Sequence, residues 1–156
     1  MQFVHGGARS VAIGDFELAI QTHPASWNIL LIDSEGPDDG KLFARLRLHA
    51  AQEDSVFWMV QLMESWFLAD IQALKRYFGQ GLSETRLRGN RAIEQISKKD
   101  VLSRLKDATR TTLKQKYDKA EDAPHLLRQL DPTLVRNASP HCQRIFTIVG
   151  SRLRER

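Results

Sequence analysis

Apolar positions along the chain change their rhythm near residue 62. Before it they come in short, dense runs. Residues 28–32, opening "NILLIDSEGPDDG", and residues 55–62, "SVFWMVQL", are continuous and rich in β-branched, leucine or aromatic side chains. Runs of that length predict strands, the first of them buried on both faces. A further short strand is expected at 2–5, closed by Gly6 and Gly7. Residues 14–22 place Phe16, Ala19 and Ile20 at helical spacing, with Asp15 as N-cap and His23 and Pro24 as the stop. "KLFARLRLHAA", 41–51, fits helix or strand equally.

After residue 62 the period becomes helical. Trp66, Phe67, Leu74 and Tyr77 are spaced for one buried face, with a break at Ala69 and Asp70 and an end at Gly79 and Gly81. Asp70 fits the cap of the second segment better than a ligand. A helix is predicted from about 97 to 113, with Val101, Leu102, Leu105 and Ala108 as its stripe. Ser97 is its N-cap and Asp100 the partner three residues on. Shorter helices follow at 123–131 and from Pro140 to the C-terminal region. The expectation is a single α/β domain over 1–156. Residues 1–62 form a strand-rich α/β part with a small sheet flanked by helices, and 63–156 a mostly helical half.

Composition changes this picture little. The 156 residues are 42% hydrophobic and 27% charged, which suits a folded domain rather than a disordered chain. No apolar run approaches the roughly 18 residues that a membrane span needs. The single cysteine, Cys142, cannot close an internal disulfide, and "MQFVHGGARS" lacks a signal-peptide pattern. Both suit a reducing cytoplasm. Charge is more telling. Residues 1–70 carry 4 Lys/Arg and 10 Asp/Glu, whereas 71–156 carry 19 and 9. An acidic half suits a cation and a basic half a polyanion, although solvated helix faces account for the same numbers.

The candidate chemistry starts where the first apolar run stops, at Asp33-Ser34-Glu35. Carboxylates two apart on a strand point the same way. They can hold Mg²⁺, which keeps several waters, or they can be ordinary turn residues. Glu64 lies among Met59, Val60, Leu62, Met63, Trp66 and Phe67. A buried Glu there needs a cation or a partner. It reads as a third ligand, a general base, an ion-pair partner or an exposed position. Arg9 after Gly6-Gly7 suits a phosphate or a tight turn. Lys98, Lys99, Lys114, Lys116 and Lys119 form a basic set that could contact phosphates or simply face solvent. His125 and His141 read as packing residues, and Cys142 has no base nearby in sequence.

"HGGARS…F", "LLIDSEGP", "MVQLMESWFLADIQALKRYFG", "EQISKKDVLSRLKDATR" and "YDKAEDAPHLL…LDPTLVRNASPHCQRIF" occur in an order that resembles the bacterial domain of unknown function 4276. That family is in turn similar to the Toprim fold of topoisomerases, primases and nucleases. The resemblance implies a small Toprim-like sheet and a metal-dependent nuclease or phosphodiesterase using Mg²⁺ or Mn²⁺. It further implies an ABC-type ATPase partner in anti-phage defence. Asp33-Ser34-Glu35 resembles the Toprim Asp-x-Glu pair, which makes Asp33 and Glu35 metal residues. Glu64 would assist, and Asp33 and Glu64 would be the catalytic groups. Arg9, Lys98, Lys99, Lys116 and Lys119 would meet DNA or RNA. Toprim domains also carry a Glu after an earlier strand, and none precedes "MQFVHGG". Three expectations follow from that difference: a start placed too late, an incomplete site, or compensation by Glu64. Two function classes stay open beside the nuclease. One is a non-catalytic, degenerate Toprim-like module that regulates an ATPase, and the other is a domain for a small anionic ligand.

Overall fold

In the computed structural model, which describes residues 7–49, 52–87 and 92–154, strand β1 (Leu30–Asp33) runs parallel to β2 (Val56–Met59). The register sets Leu30 opposite Val56 and Asp33 opposite Met59. Parallel pairing needs a long crossover. The chain supplies one through the loop after Asp33 and the single-turn helix α2 (Leu42–Arg45). The ambiguous segment 41–51 thus begins as helix, and Arg47, at φ 56°, turns the chain out of it.

Helix α1 (Arg9–Thr22) packs on β1. It begins six residues earlier than Asp15, after Ala8 and without a side-chain cap. Burial explains the difference. Phe16 is buried, and Ala12, Ile13 and Ile20 pack with it against Leu30, Ile32, Leu42, Val56 and Trp58. Contacts at helical spacing offset the roughly 1 kcal/mol cost of Gly14 inside the helix. β1 is not buried on both faces as expected. Leu30 and Ile32 are buried, while Leu31 is 42% exposed. The strand expected at 2–5 lies outside the described residues.

A second apolar cluster builds the helical half. It contains the 3-10 helix Met63–Ala69, α3 (Ile71–Phe78), α4 (Glu84–Leu87), the 3-10 turn Ile93–Gln95, α5 (Lys98–Thr109) and α6 (Lys119–Leu127). Two more helices, α7 (Pro132–Ala138) and α8 (Pro140–Arg154), complete the described chain, and α8 packs on β2. The predicted break at Asp70 is real. Its Oδ1 accepts the Ala73 N–H at 2.9 Å, and its Oδ2 accepts the Asp131 N–H at 3.0 Å, so one buried carboxylate caps α3 and ties it to the start of α7.

Ser97 caps α5 as expected, accepting from the Asp100 N–H at 3.2 Å. The helix ends at Thr109, short of 113. The Thr109 hydroxyl donates to the Leu105 carbonyl at 2.8 Å and accepts from the Tyr117 N–H at 2.8 Å, which folds the chain back. Gly81, at φ +91°, lies against that turn. A Cβ there would stand 2.4 Å from the Thr111 carbonyl oxygen, so only glycine fits.

Candidate functional site: two carboxylates that share one lysine

The segments that follow the two strands are joined by the Ser34 side chain and the Glu35 backbone. The Ser34 hydroxyl accepts from the Gln61 N–H at 2.9 Å, and the Glu35 N–H donates to the Gln61 carbonyl at 2.9 Å. Glu35 and Gln61 both sit at φ 61°. Left-handed backbone at two non-glycine residues costs about 1 kcal/mol or more at each, and such strain persists only where the surroundings fix it.

This kink separates the two carboxylates that strand period would align. Asp33 turns inward, and its Oδ1 accepts the Met63 N–H at 2.7 Å. Glu35 turns to the Lys98 ammonium. Lys98 is held from behind as well, because its backbone N–H donates to the Gln61 side-chain oxygen at 3.3 Å.

Glu64, in the first turn of the 3-10 helix, is fully buried, which rules out the exposed-position reading. Taking such a carboxylate out of water costs several kcal/mol unless it is paired. Two groups pair it. The Tyr117 hydroxyl donates to Oε1 at 3.1 Å, and the Lys119 ammonium lies 3.3 Å from Oε2. The same ammonium lies 3.4 Å from Asp33 Oδ2. Tyr117 is placed by Thr109 and by an edge contact with Phe67, and Lys119 follows the N-cap Asp118 at the start of α6.

The titration behaviour follows from this arrangement. Burial raises the Asp33 pKa, opposed by Lys119 and the Met63 N–H and reinforced by Glu64. Burial works against the Lys119 charge, but the attraction of Glu64 and Asp33 outweighs it and raises its pKa. Burial, then the Glu64 charge, pushes the Tyr117 hydroxyl far up, so it stays a donor. Of the readings of Glu64, the ion pair is present, and Lys119 is its partner.

A cleft of about 390 Å³ opens over this cluster, lined by Glu35, Glu64, Lys98, Lys106, Tyr117 and Lys119 among others. The structure therefore brings Asp33, Glu64 and Lys119 together and places Glu35 and Lys98 at the same cleft. Arg9, Lys99 and Lys116 are exposed and do not line it. Lys114 lies over the Tyr77 ring, 4.6 Å from its centroid. Among the described residues, no three or more His, Cys, Asp or Glu side chains are arranged to hold a metal ion, so a metal at Asp33 and Glu64 would rest on two carboxylates and its own waters.

Sequence reasoning missed Tyr117 and Lys106. Lys106 was legible, since it falls eight residues after Lys98 on one helical face. It also missed a second cluster. His141 Nδ1 lies 2.9 Å from Glu94 and Nε2 3.0 Å from Asp38, and the Ser139 hydroxyl donates to Glu94. His125 does pack, stacked on Tyr77 at 5.9 Å. Burial, opposed by Arg136 and reinforced by Glu94, leaves the Cys142 thiol raised to about 11, which leaves no reactive thiolate at neutral pH.

Fold and site together define a small α/β domain with a strained strand end and a buried carboxylate–lysine cluster beneath a basic-rimmed cleft. The model of one protein family, Domain of unknown function (DUF4276), matches residues 7–149, and the chain belongs to that family. No curated protein and no solved structure matches it. No helix among the described residues is long and apolar enough to cross a membrane.

Proposed function

We propose that the chain is a Toprim-like, divalent-metal-dependent phosphodiesterase unit acting on DNA or RNA, with Asp33 and Glu64 as the ligands of Mg²⁺ or Mn²⁺. The observation that carries this reading is their convergence, from a strand end and a 3-10 helix, on one positive charge. Each carboxylate commits one oxygen to a fixed protein donor and turns the other to the shared cation. That donor set suits a hard ion that keeps its waters. Bound there, the metal supplies Lewis-acid polarisation of a phosphoryl oxygen and acidifies a water.

The chain's own residues do the rest. Met63 N–H and Tyr117 O–H fix the orientation of the two carboxylates. Lys119, whose ammonium faces the oxygens that a metal would take, would yield them to the metal and turn its largely exposed side chain to phosphate. Lys98 binds phosphate at the cleft, and Lys99, Lys116 and Arg9 extend the basic surface outside it. Steep salt dependence of binding is the expected signature. The family resemblance adds an ABC-type ATPase partner to this reading.

A second reading has its own support. Lys119 already supplies the charge both carboxylates face, and no third acidic group joins them among the described residues. On that reading the chain is a non-catalytic, degenerate Toprim-like module that regulates an ATPase. Cleavage of plasmid, single-stranded DNA and RNA with Mn²⁺ or Mg²⁺ separates the two, wild type against Asp33→Asn, with and without an ATPase encoded beside the chain. Metal-dependent cutting lost in the variant supports the enzyme. A folded protein that cuts nothing with the partner present leaves the module.

A further inference from the structure

Helix α5 carries Lys98, Leu102 and Lys106 at four-residue intervals, and all three line the cleft. Side chains at that spacing share one helical face. Lys98 faces Glu35 across the cleft, while the Lys106 ammonium has no partner among the described residues. Leu62 and Leu102 add apolar surface to the same cleft.

We propose that this face of α5 is a binding track for the phosphates of a nucleic-acid strand, and that Glu35 acts as an internal anion that holds it closed. The inference rests on the nucleic-acid reading above and adds Lys106 and the role of Glu35 to it. Three features support it. First, eight residues of helix separate the two lysines by about 12 Å along the axis, more than one phosphate spans and about twice the spacing of neighbouring phosphates on a strand, which suits two phosphates of one chain with another between them. Second, the Glu35–Lys98 pair is built, not incidental. Gln61 accepts the Glu35 N–H on its carbonyl and the Lys98 N–H on its side chain, so one residue fixes both backbones. Third, Glu35 keeps its place at φ 61°, a conformation that costs free energy and that a loop without a role would relax.

The pair is also replaceable. Glu35 and Lys98 side chains are 40% and 44% exposed, so water competes and the contact is worth roughly 1 kcal/mol or less. A phosphate, with more charge and more acceptor oxygens, can displace one carboxylate from Lys98. Substrate entry then exchanges an internal anion for an external one. Asp33, Glu64 and Lys119 need not move.

The test is binding of a short fluorescein-labelled single-stranded DNA in EDTA, read by anisotropy across a salt series. Wild type is compared with Glu35→Gln, Lys98→Met, Lys106→Met and the Glu35→Gln/Lys98→Met double variant. Glu35→Gln is expected to bind about five-fold tighter, near the limit set by a roughly 1 kcal/mol contact. Each lysine variant is expected to bind several-fold weaker, with the salt slope reduced by about one. The double variant should lose the gain seen with Glu35→Gln. Unlabelled pyrophosphate should compete poorly.

Unchanged affinity in Glu35→Gln would overturn the closing role, and unchanged affinity in Lys106→Met would overturn the track. Pyrophosphate competing as well as unlabelled DNA strand would replace the strand by a small phosphate ligand. Circular dichroism confirms that each variant is folded. Because EDTA removes metal, failure here is distinguishable from failure of cleavage, which concerns Asp33 and Glu64.

Discussion

Tyr117 and Glu64 meet hydroxyl to carboxylate at 3.1 Å, both buried and 53 positions apart in the chain. The Tyr117 hydroxyl is the fixed donor to Glu64 Oε1, so this contact offsets part of the cost of burying the carboxylate. Tyr117→Phe keeps the ring against Phe67 and removes only the donor. A buried acceptor left short of a partner costs about 1–3 kcal/mol. Urea denaturation should show a loss in that range with an unchanged m-value. A loss under about 0.5 kcal/mol would mean that Lys119 alone satisfies Glu64.

Asp33 carries the opposite expectation. Its folded pKa is raised by burial, so the ionised form is penalised on folding at neutral pH. Asp33→Asn removes the charge and keeps an oxygen for the Met63 N–H. Thermal unfolding at neutral pH should therefore show an unchanged or higher midpoint, while cleavage, if the chain is an enzyme, is lost. The wild-type advantage should also shift with pH. A raised carboxyl pKa contributes stability fully below its unfolded value, near 3.8, and loses it as pH rises through the folded pKa. The variant should thus gain on wild type as pH climbs from 4 to 7. A midpoint several degrees below wild type at pH 7 would show instead that the Asp33–Lys119 pair is a net stabiliser.

What the sequence made legible follows from which forces are local. The cap of α3 by Asp70, the cap of α5 by Ser97 and the strand before Asp33 are written in neighbouring residues, and all three are found. The start of α1 is not local. It depends on Ala12 and Ile13 reaching the sheet, which overrides Gly14. The candidate site was half legible. Glu64 stood out because a charge inside an apolar run demands a partner, but Tyr117 and Lys119 lie more than 50 residues away, with no period to link them. The pairing of Asp33 with Glu35 failed for a backbone reason. Period 2 holds only in extended chain, and Glu35 leaves it. The partners of His141 were not legible because Asp38, in the loop after β1, and Glu94, in the 3-10 turn Ile93–Gln95, are both far from it in sequence.

That histidine carries the last prediction. His141 joins α8 to the loop after β1 through Asp38 and to the turn after Ile93 through Glu94. The hydrogen bond that the imidazolium donates to Glu94, against burial and with help from Asp38, raises its pKa. Burial presses the Glu94 carboxyl upward, yet hydrogen bonds from His141 and Ser139 outweigh it and lower its pKa. The signs are opposite and so are the limits. The histidine contributes fully below its unfolded value near 6.5 and loses that contribution as pH rises through its folded pKa. The glutamate contributes above about 4.5 and loses that contribution as pH falls through its folded pKa. Stability should peak between those limits. It should then fall above pH 6.5 with a slope of up to about 1.4 kcal/mol per pH unit, because the folded state holds one more proton than the unfolded. Cys142, the other titratable group on this stretch of α8, does not ionise in that range because its thiol is raised to about 11. His141→Asn should lower the peak and flatten the alkaline limb, read by urea titrations from pH 5 to 8.5. A limb that stays equally steep in the variant would assign the proton to another group and remove His141 as the tie between the two loops.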